Sequence, residues 1–374
     1  MANPDIVAFN IATFISTFFL LEFASDKFVD HTAVVASRVG VSQAVIALLT
    51  AGAEWEELGV VVASLSRSRS SLAFGNIIGS AISNILGAFS LGLIAHSNEY
   101  QVTFDKSSRI YSLNLLLLTT VVTAVIYFAP EDAWTIFGGL LLAVFTIYTL
   151  SIVWAISRGN LTAPEDSDKD SESETSNEES PNPIADNNAL DANQPLLQSD
   201  EEHASYGTPT RSPIASRGPR HSLLYHIAYL IFGFLAISLA AYVISHAATN
   251  ITNQFQVSDF LFGVVLLAIA TTLPEKFIAV LSGHRGHMGI LVANTAGSNI
   301  FLLSLCLGII MVGTNGHLDA DSVNVAELAI LWGSTLLFTV TVFVGGIWSR
   351  WIGIAMLILY FSFLVLEFVL IRRV

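Results

Sequence analysis

The stretch Thr50-Ala51-Gly52-Ala53-Glu54-Trp55-Glu56-Glu57-Leu58 places three carboxylates within four residues. It lies in a run that is otherwise apolar from about Val41 to Leu65. On a soluble helix such charges would be solvated. At mid-bilayer each ionised group costs roughly 2.5–3.5 kcal/mol, so it requires a partner or a use. At helical spacing Thr50, Glu54 and Glu57 share one stripe. Glu56 points elsewhere and is expected to face a polar crevice or water near a helix end. Two carboxylates on one stripe suit a multivalent cation or a titrating proton site.

Composition places this stretch in a membrane. Of 374 residues, 53% are hydrophobic and only 12% are charged, where a soluble domain carries about 25% charged residues. Mean hydropathy is +0.64. Several uncharged runs reach about 20 residues, the length that crosses roughly 30 Å of hydrocarbon. The net charge of −14 is concentrated in one loop. The single Cys306 excludes a disulfide framework or a Cys-based metal site and reads as a packing residue. Met1 to Asp5 holds no positive residue and no cleavage motif follows, so the first apolar run is expected to span the membrane.

The expected fold is all-α: a polytopic membrane protein of about ten transmembrane helices in two inverted five-helix repeats. The spans fall near residues 6–24, 41–65, 72–95, 110–129, 134–156, 222–246, 257–282, 288–312, 323–347 and 352–371. Residues 1–156 form the first repeat, 157–221 a loop and 222–374 the second repeat. Between Glu165 and Glu202 the loop has thirteen acidic residues and one basic residue, Lys169. Such a segment buries too little apolar surface to offset its ordering entropy and is expected to be disordered. Gln194-Pro195-Leu196-Leu197 within it loosely resembles a dileucine sorting signal. Ten spans put both termini on one side. Eleven Lys and Arg lie on the opposite side and four, Arg67, Arg69, Arg372 and Arg373, on the terminal side. The positive-inside rule then makes the acidic loop cytosolic and both termini non-cytosolic. Whether the membrane is the plasma membrane or that of a vacuole or other organelle is left open by the sequence.

An internal repeat confers meaning on the acidic stretch. Shifting the chain by 218 residues lays Glu57 on Glu275, Ser64 on Ser282, Asn76 on Asn294, Gly79 on Gly297 and Ser80 on Ser298. An odd number of helices per half gives the halves opposite orientation. This is the plan of secondary transporters, whose ion sites lie near the midplane where the repeats meet. Asn76 and Ser80 are four residues apart, as are Asn294 and Ser298, so each pair lines one helix face. Gly79 and Gly297 permit close helix approach. Thr271, Thr272 and Glu275 follow the same spacing in the second half. Pro274 cannot donate a backbone hydrogen bond and frees carbonyls upstream. Carbonyls, hydroxyls, amide oxygens and carboxylates are the hard ligands that Ca²⁺ prefers. No His or Cys enters these blocks, which argues against zinc or copper. Lys276 neighbours Glu275 but points about 100° away, which suggests a structural partner or snorkelling. Glu22 and Asp26 are expected to be interfacial or helix-packing residues.

These blocks resemble the cation/calcium antiporter superfamily, which includes sodium/calcium and proton/calcium exchangers. Its two alpha-repeats carry Gly-Thr-Ser-x-Pro-Glu followed by Gly-Asn-x-x-Gly-Ser-Asn. The second repeat here reads Ala270-Thr271-Thr272-Leu273-Pro274-Glu275, then Ala293-Asn294-Thr295-Ala296-Gly297-Ser298-Asn299. The first reads Gly52-Ala53-Glu54-Trp55-Glu56-Glu57, then Gly75-Asn76-Ile77-Ile78-Gly79-Ser80-Ala81. The resemblance implies that Glu57 and Glu275 are paired calcium-binding carboxylates. It also implies that Thr271, Thr272, Ser80, Ser298 and Asn84 line the ion sites. The expected metal-ligating set is therefore Glu57, Glu275, Glu54, Thr50, Thr271, Thr272, Asn76, Ser80, Asn84, Asn294 and Ser298.

The chain also departs from the family pattern. Glu54 stands where the family has a hydroxyl, Ala53 replaces a Thr, Glu56 replaces the Pro, and Leu302 stands opposite Asn84. Part of the hydroxyl-rich sodium site is missing. Crowding by Glu54 favours keeping a proton on one carboxyl, which leans the counter-ion towards H⁺ rather than Na⁺. The expected function is secondary active antiport of Ca²⁺, or another cation such as Mn²⁺, by alternating access. The expected partners are inorganic cations and the lipid bilayer, with no cofactor and no nucleic acid. A non-transporting sensor or scaffold with a degenerate site, and a cation channel, are the rival readings. No nucleophile–base set or nucleotide loop suggests an enzyme.

Overall fold

The computed structural model describes residues 4–38, 54–96, 102–157, 222–315, 324–346 and 348–371. The regular elements among them are α1 Pro4–Arg38, α2 Trp55–Ser66, α3 Ser70–Ala95, α4 Lys106–Phe128, α5 Glu131–Ser157, α6 Leu223–Phe255, α7 Asp259–Thr271, α8 Leu273–His284, α9 Met288–Gly313, α10 Val325–Val344 and α11 Ser349–Leu366, which continues as a π-turn over Glu367–Ile371. Thr50, most of the apolar run before Glu54, and the acidic loop lie outside the described residues. An isolated bridge joins Val102 to Gly346, and the described chain is otherwise helix and turn.

Among the described residues eight helices are long and apolar enough to cross a membrane, or nine if α7 and α8, bent by 47° at Thr272, form one span. The chain is thus a multi-pass, all-α integral membrane protein. The expected tenth span, 41–65, is described only from Glu54 onward. The first helix is longer than expected, since it runs unbroken from Pro4 to Arg38.

A shift of 218 residues superimposes element bounds as well as motifs. It carries α2 onto α8 and α3 onto α9 without a residue of difference, and α1, α4 and α5 onto α6, α10 and α11 to within two residues at their starts. Even the π-helical turn recurs, over Ser83–Phe89 in α3 and Phe301–Cys306 in α9. A π-turn inserts one residue and rotates the faces beyond it, and it often marks a functional site.

Two of these helices form the centre. Of the Ser70–Ala95 window 89% is buried and of Met288–Gly313 72%, against 22% for α1 and 28% for α6. The peripheral helices turn Phe9, Phe19, Ile136, Leu224 and Phe232 outward, as a lipid solvent permits. Central packing depends on absent side chains. A Cβ on Gly75 would stand 2.4 Å from the Phe260 carbonyl oxygen, and one on Gly79 2.3 Å from that of Val264. Small residues four apart let α3 lie directly against α7, an element of the other repeat.

Local chemistry anchors the helix ends. Asp105 caps α4 by accepting from Ser108 N–H at 3.0 Å. Burial opposes the Asp105 charge, but hydrogen bonds from Ser108 and Ser107 outweigh it and hold the carboxyl below the usual range. Asn324 and Glu327 form a capping box on α10. At the start of α3, Arg69 pairs with Asp259 of α7 at 2.7 Å, and Thr252 of α6 also donates to Asp259 at 2.8 Å.

Gly79→Ala should cost about 1–3 kcal/mol through overpacking and lower the thermal midpoint in detergent. Gly139→Ala, where a Cβ meets nothing within 4 Å, should leave it unchanged. Intrinsic fluorescence melts of the purified variants provide the check, and equal midpoints would refute the close approach.

Candidate ion site where the repeats meet

α8 begins at a break, and α2, its match under the 218-residue shift, begins just after the non-helical Glu54. Glu54 has φ −81° and ψ 74° and precedes α2, while its repeat mate Thr272 has φ −94° and ψ 14° and precedes α8. Of the expected span over 41–65 the described part is helical from Trp55 on, and Glu54 lies outside that helix. Glu54 is the residue before the first turn, so the ideal stripe does not describe how it lies relative to Glu57. Pro274 sits in the first turn of α8, where its missing N–H is not needed. Glu57 and Glu275 each occupy the third helical position, where the partial positive charge of a helix N-terminus favours a carboxylate.

Four helix segments from both repeats converge there. Ser80 Oγ of α3 is 3.4 Å from Thr271 Oγ1 of α7. Asn84 Nδ2 donates to Glu54 Oε1 at 3.4 Å. The Glu54 carboxyl also lies beside Ser298 of α9 and the Glu57 carboxyl, and Glu57 lies in the field of Glu275. Ser83 Oγ is 2.9 Å from Thr272 Oγ1 and 2.9 Å from the Tyr360 hydroxyl.

The defining feature is what these groups lack. Glu57 and Asn76 are wholly buried, and neither Glu57 oxygen nor either polar atom of the Asn76 amide has a hydrogen-bond partner. Glu54 Oε2, Asn84 Oδ1, Glu275 Oε2 and Asn299 Oδ1 are likewise buried without one. Buried polar groups are normally satisfied, and each exception calls for an explanation such as an ion. An oxygen-rich set of carboxylates and amide carbonyls is hard-cation chemistry. Among the described residues no three of His, Cys, Asp and Glu converge closely enough to hold a metal by themselves. Amide and hydroxyl oxygens would therefore have to supply part of any coordination shell.

The remaining expected residues divide. Thr271, Thr272, Ser80 and Ser298 are buried in the cluster. Asn294 is only half-buried. Of the two settings expected for Glu56 the structure shows a polar crevice rather than water: it is 9% exposed and lies beside Ser25 of α1. Glu22 lies in the field of Glu56 and Asp26, so acidic groups extend from the cluster to α1. Of the two roles expected for Lys276 the hydrogen bonds show the structural partner: its ammonium reaches Ser83 and Thr272. Ser83, Tyr360 and Asn299 were not among the expected site residues. Asn299 stood in the quoted motif, but nothing in the linear pattern marks Ser83 or Tyr360.

A helix break before α8, elements that recur at a 218-residue shift and unsatisfied buried oxygens where they meet are features from which a helical membrane transporter builds an ion site. The model of the sodium/calcium exchanger protein family matches residues 9–156 and 225–369, and the chain belongs to that family, within the cation/calcium antiporter superfamily. A membrane protein of Methanocaldococcus jannaschii, MJ0091, is 25% identical over 354 residues, covering 94% of this chain and 95% of its own. The sodium/calcium exchanger MaX1 of Methanosarcina acetivorans is 26% identical over 145 residues, 37% of this chain and 39% of its own. In fold the chain is similar to the solved sodium–calcium exchanger NCX_Mj, at TM-score 0.55 and 23% identity over 95% of this chain and 97% of that one.

Crowded buried carboxylates repel one another when no cation is present. Glu57→Gln should therefore raise the thermal midpoint of purified protein in chelator-treated buffer. A lowered midpoint would show that the Glu57 charge is already compensated within the protein.

Proposed function

We propose that this chain is a secondary active antiporter that moves Ca²⁺, or another hard divalent cation such as Mn²⁺, in exchange for H⁺ or Na⁺ by alternating access. The observation that carries this reading is the set of buried, unpartnered oxygens on Glu54, Glu57 and Glu275 at the junction of the repeats. Family membership supports it independently. Glu57 and Glu275 act as the principal ligands, with Glu54, Asn84 and Asn76 contributing oxygens. Ser80, Thr271 and Ser298 line the site, and Thr50, Thr272 and Asn294 complete the candidate set. The same carboxylates cannot be neutralised twice, so cation and counter-ion occupy them in turn, which is the physical basis of exchange.

The surplus carboxylate at Glu54 favours H⁺ as the counter-ion, because a proton relieves like-charge crowding without demanding further ligands. Residues 1–156 and 222–374 are the two repeats in this proposal. Residues 157–221 are the cytosolic connection, with both termini on the other side. A second reading, a sensor or scaffold with a degenerate site, draws on the absence of three converging acidic groups among the described residues.

Purified protein in sealed liposomes separates these readings. Ca²⁺ uptake should be driven by a pH gradient more strongly than by a Na⁺ gradient; uptake with Na⁺ alone would exclude proton exchange. Glu57→Gln and Glu275→Gln should each reduce uptake at least a hundredfold with the protein still folded. Undiminished transport by both variants would refute the site, and absence of flux in the unmutated protein would favour the sensor.

A further inference from the structure

Lys276 follows Glu275 in α8, yet its side chain turns back across the break that precedes the helix. Its Nζ donates to Thr272 Oγ1 at 2.5 Å, to the Thr272 carbonyl at 3.1 Å and to Ser83 Oγ of α3 at 2.9 Å. An ammonium has three N–H donors, and three oxygens receive them. Tyr360 closes the group from α11, with its hydroxyl 2.9 Å from Ser83 Oγ. Hydroxyls together with a carbonyl at a helix break form an uncharged set of oxygens of the kind that holds a singly charged cation. Here that set holds an ammonium that the chain itself supplies.

The repeats explain why the ammonium is tolerated. Under the 218-residue shift Lys276 falls on Leu58, Thr272 on Glu54 and Ser83 on Phe301. The first repeat thus carries an extra anion and the hydroxyl of Ser83, and the second carries the extra cation that Ser83 receives. Lys276 lies in the field of Glu275, Glu57 and Glu54.

We propose that the Lys276 ammonium is a tethered substitute for a bound monovalent alkali cation. It fills a subsite formed by Ser83, Thr272 and Tyr360 beside the divalent site. The chain therefore binds one monovalent ion fewer than it would with a neutral residue at this position. The consequence for transport rests on the exchange reading above; the consequence for binding does not.

The test is equilibrium binding of radioactive Na⁺ and Rb⁺ to the purified full-length protein at one fixed pH. Lys276→Met should bind one additional monovalent ion per chain, while Lys276→Arg should match the unmutated protein. Lys276→Gln serves in its place if the Met variant fails to fold. Adding Ser83→Ala to the neutral variant should abolish the additional ion. Equal binding by the neutral variant and the unmutated protein would overturn the proposal, as would retention of the extra ion after Ser83→Ala. In liposomes, the number of monovalent ions exchanged per Ca²⁺, read from the reversal potential, should rise by one in the neutral variant. If the unmutated protein moves no Ca²⁺, the exchange reading fails while the binding comparison still decides the role of Lys276.

Discussion

Glu57 is wholly buried with both carboxylate oxygens unpartnered, and the rest of the molecule depends on how that is sustained. An isolated charge in an apolar interior is expensive, and like charges beside it add to the cost. The helices resolve this in two ways. Each glutamate sits in the first turn of a helix that starts inside the protein, so exposed N–H groups face it. The remaining deficit is what the proposed cation would fill. A site that satisfied every oxygen internally would have no affinity to offer a cargo.

The bundle around this deficit is tight where the repeats cross. Gly75 and Gly79 bring α3 against the backbone of α7, and Arg69 and Asp259 tie the same two helices at one end. That contact puts Ser80 against Thr271 and brings Asn84 to Glu54. The outer helices are mostly turned to lipid. Rigid packing at the centre and looser packing outside is an arrangement in which one part can move against the other around a fixed site.

The two repeats differ in complementary directions. The first has Glu54 and Glu56 where the second has Thr272 and Pro274, and the second has Lys276 where the first has Leu58. Extra negative charge in one half is accompanied by extra positive charge in the other. Charge balance at the junction is thus a property of the pair of repeats and of neither alone.

Much was legible in the linear chain because membranes and repeats leave strong marks there. A bilayer demands long apolar runs, so most of the spans could be counted. Duplication keeps its spacing, so one shift of 218 residues linked Glu57 to Glu275 and Asn76 to Asn294. Intramembrane acids stand out because they are costly, which pointed to the site. Ideal periodicity could not reveal where a helix begins, so Glu54 was assigned to a continuous stripe, and Glu56 was left between a polar crevice and water. Nor could it place a long side chain: Lys276 was put on another face by its Cα, whereas its flexible stem carries the ammonium back to Thr272 and across to Ser83. The partners of Ser83 lie 189 and 277 residues away, and only the packing of helices from both halves brings them together.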